Sequence, residues 1–174
     1  MAAPQFVSAL NEQVGHEFDA HQQYVAIATY FDAQTMPRTA ALFYAQALEE
    51  RDHAMMMVQY LLDADEVPRI PALSAPRCEF ADVVEPVAVA LEQERRVTDQ
   101  INALTLVARE AGDLASEQFM QWFIKEQVEE VASMGDLLAV VTRSQDHVDR
   151  IEEWVARESR SEASDPTAPR IAGA

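Results

Sequence analysis

Four glutamates in this chain occupy places where a helix normally puts leucine. Glu17 falls in a column of residues seven apart with Leu10, Tyr24 and Phe31, and Glu50 in one with Phe43, Met57 and Ala64. Glu94 lines up with Val87, Ile101 and Ala108, and Glu130 with Phe123 and Leu137. Positions seven apart on a helix drift by only about 20° per heptad, so each glutamate shares a line with core-forming residues. One such residue alone is explained by a stripe edge from which the carboxylate reaches water. Four, each near the middle of a long helix, are not. An ion drawn into a protein interior costs several kcal/mol, so four unpaired carboxylates would cost on the order of 10 kcal/mol, comparable to a domain's net stability of about 5–15 kcal/mol. No lysine or arginine stands three or four positions from any of them, and Arg51, Arg95 and Arg96 point to other faces. A bound cation neutralises them, or else protonation does.

Glu50 and His53 narrow the choice of cation. Three positions apart, the two side chains meet on one helix face and can ligate one metal together. Oxygen ligands plus an imidazole suit iron, manganese or zinc better than calcium or magnesium. Four carboxylates and a histidine are too many for one ion, which suggests two metals bridged by a carboxylate. Carboxylate-bridged bundles of this kind carry Glu-x-x-His on two helices. Here one helix supplies it, and the fourth has Gln127 and Glu130 instead.

Long helices must position these residues. Apolar periodicity and helix formers run over residues 5–33, 38–64, 83–111, 114–143 and 145–158. Pro37 marks the first turn, Asp82 with Glu85 reads as a capping box, and Gly112-Asp113 as a stop followed by an N-cap. Residues 65–82, with Pro68, Pro71 and Pro76, can extend roughly 59 Å at about 3.3 Å each. That spans a helix of about 40 Å and predicts a crossover making the second and third helices parallel. The expectation is an all-α four-helix bundle over residues 1–158, with one long crossover connection and a short fifth C-terminal helix. The Ser/Ala/Pro-rich stretch 159–174 reads as a flexible C-terminal tail.

Bulk properties exclude several classes. A formal net charge of −17 disfavours nucleic acid and anionic membrane. The single cysteine, Cys78, excludes a disulfide framework and cysteine-based zinc clusters. No apolar run approaches the roughly 18 residues of a membrane helix, and the first residues lack the pattern of a signal peptide. A cytoplasmic location is expected.

The chain resembles the non-haem bacterial ferritins over residues 5–158. The resemblance is carried by Glu17 with Tyr24, by Leu48-Glu49-Glu50-Arg51-Asp52-His53-Ala54, by Glu94, and by Gln118–Phe123 followed by Glu126-Gln127-Val128-Glu129-Glu130. It implies that Glu17, Glu50 and His53 hold one iron, with Glu50 bridging, and that Glu94, Gln127 and Glu130 serve the second. It further implies a third iron position at Glu49, Glu126 and Glu129, and Tyr24 as an electron donor beside the centre; otherwise Tyr24 is a core tyrosine needing a partner. The activity implied is oxidation of Fe(II) by O2 or H2O2, with the ferric product stored in a hollow homo-oligomeric shell of 24 subunits. Bacterioferritins differ: they carry a second Glu-x-x-His, and a haem-binding methionine where this chain has Arg51, so no haem is expected. Asp113 and Glu117 are candidates for lining a channel, or are ordinary dipole partners. His16, His21 and His147 read as surface or edge residues, and Trp122 and Trp154 as packing. A di-iron oxidase and a metal-free helical interaction protein are the rival readings; Fe(II) titration separates them.

Overall fold

The computed structural model describes residues 2–158 and 165–174, and among them there are five helices and no strand. They are α1 (Pro4–Ala33), α2 (Pro37–Asp63), α3 (Glu85–Glu110), α4 (Leu114–Ser144) and α5 (Val148–Glu158). Proline opens each of the first three near N1, where its missing N–H costs nothing. Between α1 and α2 the chain turns through Thr35 at φ 61°, and α3 stops at Gly112 at φ 67°. Asp113 then caps α4, accepting from Ser116 N at 3.2 Å, and also accepts from Ala3 N at 2.8 Å. Glu117 pairs with Arg109 at 2.8 Å, so both acids proposed for a channel are engaged within the chain.

At the start of α3 the expected capping box is shifted. Asp82 Oδ1 accepts from Val84 N and Glu85 N at 2.9 Å each, but Glu85 reaches Ala81 N rather than Asp82 N. The fifth helix begins three residues later than expected, because His147 N bonds back to Ser144 O and closes a turn first. Glu152 of α5 accepts from Arg38 N, Thr39 N and Thr39 Oγ1 at 2.6–2.9 Å. It thereby supplies the cap that α2 lacks from its own sequence.

The crossover between α2 and α3 lies along α1 on a ladder one helical turn apart. Asn11 Oδ1 takes Arg69 N at 2.6 Å, Asp19 Oδ1 takes Ser74 N at 2.7 Å, and Gln23 exchanges bonds with both Arg77 N and Arg77 O. The missing rung is Gly15, where a Cβ would stand 2.5 Å from Pro71 Cγ. Glycine here serves close approach, which explains its presence inside a helix. The loop advances with α1 and delivers α3 antiparallel to it, so α2 and α3 run parallel as the loop length predicted.

Two apolar clusters fill the bundle. One gathers Tyr24, Phe31, Phe43, Val87, Leu137 and Ile151; the other gathers Phe6, Leu10, Met57, Ile101, Met120 and Phe123. Residues 17, 50–53, 94 and 127–130 fall between them in sequence on all four helices, as a polar layer inside the core. Ala64, assigned to a core column, is the half-buried C-cap of α2.

Of the stretch expected to be a flexible tail, residues 159–164 lie outside the described residues, and residues 165–174 make contacts with α2 and α4. Asp165 accepts from Lys125 Nζ at 2.7 Å and Trp122 Nε1 at 3.3 Å, Arg170 pairs with Asp63 at 2.5 Å, and Ala172 N donates to Met55 O at 3.2 Å. Ile171 and Ala172 pack on the second apolar cluster. Composition suggested mobility because local helix or strand signals are absent, but anchoring here comes from α2 and α4. Among the described residues, no helix is long and apolar enough to cross a membrane.

Candidate metal centre

The polar layer buries its charges completely. Glu17, Glu50, His53, Glu94, Gln127 and Glu130 are at most 6% exposed. Glu17, Glu50 and His53 bring ligand atoms within 4.8 Å of one another. Glu50 sits centrally, sharing hydrogen bonds with Glu17 on one side and Glu94 on the other. His53 Nδ1 lies 3.3 Å from Glu50 Oε2, and its ring is held edge-on against Trp122 and Phe123 at 5.5 and 5.7 Å. Gln13 Nε2 donates to Glu17 Oε1 at 2.8 Å, and the Tyr24 hydroxyl donates to Glu94 Oε1.

Three buried atoms of this layer have no hydrogen-bond partner: Glu17 Oε2, His53 Nε2 and Glu94 Oε2. Orphaned buried polar atoms are rare because each carries its full desolvation cost. Here each is the free ligand atom of a residue singled out by its column or its pairing with Glu50.

Burial is the main cause of every pKa shift in the layer. It pushes Glu17 up to about 7, against hydrogen bonds from Glu50 and Gln13 that pull it down. Glu50 rises well above the usual carboxylate range through burial and then the charges of Glu94 and Glu17. Glu94 rises as well, restrained by bonds from Tyr24, Gln127 and Glu50, while Glu130 rises through burial and the neighbouring Glu49. Tyr24 is pushed up by burial and Glu94. His53 falls to about 4, so its imidazole is neutral and able to ligate at neutral pH. Like carboxylates crowded in low dielectric hold protons unless a cation takes their place.

Other assigned residues fare differently. Gln127 is buried beside Glu94, but its Oε1 lies 2.9 Å from Thr98 Oγ1 and its amide serves Glu94. Its ligating oxygen is thus already engaged. For the third position, Glu49, Glu126 and Glu130 gather within 4.8 Å. Glu129 is exposed and outside that trio. From Glu126, position 130 is rotated about 40° toward α2 while 129 is about 60° the other way, which is why the trio includes Glu130 and not Glu129. Arg51 is on the surface, paired with Asp52 at 2.6 Å. Gln13, Thr98 and Gln46, whose amide donates to Glu49 at 2.9 Å and bonds Glu130, were not assigned roles from sequence. Only the i−4 spacing of Gln13 before Glu17 and the i−3 spacing of Gln46 before Glu49 hinted at contact.

The ferritin-like domain family matches residues 7–144. The chain is 51% identical over 168 residues to ferritin BfrB of Mycolicibacterium smegmatis, covering 97% of this chain and 93% of that one. It is 35% identical over 143 residues to a bacterial non-heme ferritin of Staphylococcus aureus, covering 82% and 86%. An open-pore ferritin from the archaeon Archaeoglobus fulgidus superposes with a TM-score of 0.88 at 26% identity, over 93% of this chain and 100% of the other. On the family match and on these identities, the chain belongs to the ferritin family.

Proposed function

We propose that this protein stores iron, oxidising Fe(II) at a pair of sites inside each subunit and keeping the ferric product within a 24-subunit shell. The observation that carries the reading is the set of orphaned ligand atoms on Glu17, His53 and Glu94, arranged around a central Glu50. Glu17, Glu50 and His53 take one Fe(II), and Glu50 with Glu94 and Glu130 the second. Gln127 joins the second iron only if its amide turns away from Thr98, which makes that iron the looser one. Glu49, Glu126 and Glu130 offer a third position toward the end of the same layer. Hard anionic oxygens favour Fe(III) over Fe(II), so the ligand set itself pulls the oxidation forward. O2 or H2O2 accepts the electrons, and Tyr24, bonded to Glu94, is placed to supply one more. No haem is involved in this reading.

The test is anaerobic Fe(II) titration followed by exposure to O2, on the wild type and on Glu50→Ala. About two Fe(II) bound per chain and rapidly oxidised, with loss of both in the variant, is the expected result by the two-site arrangement. Stoichiometric binding without subsequent iron accumulation would instead make the protein a di-iron oxidase.

A further inference from the structure

The buried tyrosine of the metal layer is the first of a row of touching rings. Tyr24 is fully buried, and its hydroxyl donates to Glu94 Oε1. Among the described residues its ring meets one other, Phe43, at 5.8 Å between centroids. Phe43 stacks on Phe31 at 5.5 Å with the planes 5° apart, and Phe31 meets Tyr30 edge-on at 5.4 Å. Tyr30 in turn meets Phe80 of the crossover at 5.2 Å. Phe31 and Phe43 are fully buried, whereas Tyr30 and Phe80 are half-buried. The row therefore runs from the metal layer through the apolar core to the surface.

Two members of the row are readily oxidised, Tyr24 and Tyr30. They stand six residues apart on α1, about 9 Å along the axis at about 1.5 Å per residue. The phenylalanines between them exclude water. Burial isolates Tyr24: no dissolved reductant touches its ring, so an electron it has lost returns only from the metals or from another side chain. A second chain of rings, from His53 through Phe123 and Phe119 to Tyr60, starts at an imidazole and does not touch Tyr24.

Tyr30 has the access that Tyr24 lacks. With Phe80, Asp82 and Asp146 it lines a surface depression of about 370 Å3. Negative charge beside the ring makes loss of an electron from it easier. Burial and the charges of Asp82 and Glu85 push its phenol pKa up, so it keeps its proton until it is oxidised. The same acids repel anionic reductants. A neutral hydroquinone instead offers a flat ring to Tyr30 and Phe80 and two O–H donors to the carboxylates.

We infer that Tyr30 is a second redox station, which returns an electron to oxidised Tyr24 past the Phe43–Phe31 pair and is itself re-reduced by a hydroquinone at the surface depression. The inference rests on the ferroxidase reading above. A centre holding a single Fe(II) meets hydrogen peroxide one electron short. Fe(II) gives one electron; Tyr24 gives the other and passes its phenol proton to Glu94. The O–O bond breaks, and with two protons from solvent both oxygens leave as water. Tyr30 then gives one electron to the Tyr24 radical, which takes its proton back from Glu94, while Tyr30 loses its own proton to water in the depression. One hydrogen atom from the hydroquinone restores Tyr30 and leaves a semiquinone.

The test loads the full-length protein anaerobically with one Fe(II) per chain and mixes it with H2O2. Freeze-quench electron paramagnetic resonance follows the tyrosyl radical with and without added hydroquinone. In the wild type, hydroquinone should shorten the life of the radical. In Tyr30→Phe, which keeps the ring and its packing, the radical should persist and the effect of hydroquinone should be lost. Tyr44→Phe removes an exposed phenol outside the row, whose hydroxyl faces Asp32 at 3.5 Å, and should behave as the wild type. An equal effect of hydroquinone in the wild type and Tyr30→Phe overturns the relay. So does its loss in Tyr44→Phe as well, or the absence of a radical from wild type and Tyr30→Phe alike while Fe(II) is oxidised. Each of these leaves the ferroxidase reading standing. A wild type that oxidises Fe(II) with neither H2O2 nor O2 overturns the ferroxidase reading, and the relay with it.

Discussion

Glu17, Glu50, Glu94 and Glu130 all have pKa values raised by burial, so in the metal-free chain they hold protons that the unfolded chain releases near pH 4.5. By linkage, their contribution to stability is full below pH 4.5 and is lost as pH climbs through the folded values, about 7 for Glu17. His53 runs the other way: depressed to about 4 from 6.5, its contribution is full above pH 6.5 and lost as pH falls through 4. Four groups of one sign outweigh one of the other. Calorimetry on metal-free protein should therefore show Tm falling as pH rises from about 5 to about 8. Glu17→Gln should flatten that slope, since the amide does not titrate. Added Fe(II) should restore Tm most at the high-pH end, where the carboxylates compete for metal with fewer protons. A Tm that climbs steadily toward pH 8 in metal-free protein would contradict the protonated layer.

At the scale of elements, the bundle depends on how the crossover is seated. Its ladder uses Asn11, Asp19 and Gln23 as side-chain rungs and Gly15 as a gap that admits Pro71. Helix propensity alone says Gly15→Ala should stabilise α1 by up to about 1 kcal/mol. The added methyl meets Pro71 Cγ at 2.5 Å, a clash with a stiff ring. Overpacking of that kind costs about 1–3 kcal/mol, so the net prediction is destabilisation. Chemical denaturation reads the sign directly, and a stabilised variant would show that the crossover yields freely.

For the whole molecule, the surface left by the single chain is informative. Leu62 is 52% exposed, Val67 83% and Ile70 63%, one after another from the end of α2 into the crossover. Burying apolar side chains of this size is worth about 1.5–3 kcal/mol each, which favours a neighbouring subunit over water. The charge of −17 per chain acts against close association, and in the proposed shell such apolar contacts would offset it. Val67→Glu combined with Ile70→Glu should reduce the particle from a shell to small oligomers in light scattering, with helical content preserved. Shells of unchanged size would place the intersubunit contact elsewhere.

Much of this was readable in the amino-acid order because it depends on period and composition. Seven-residue columns put Glu17, Glu50, Glu94 and Glu130 on buried faces, since helix geometry is local. The loop length required parallel α2 and α3, since a chain must span the bundle to reconnect it. The remaining features were set by contacts between distant segments. Thr98 donates to Gln127 across two helices, Gln46 of α2 bonds Glu130 of α4, Glu152 caps a helix that begins 115 residues earlier, and Asp165 to Ala172 lie against α2 and α4. No period encodes these, because a rotamer or a docked segment is chosen by whichever side chains the other helices bring to it. Helical spacing determined which residues would be buried together; packing in three dimensions decided which atoms were left without partners, and those are the atoms on which the proposed function rests.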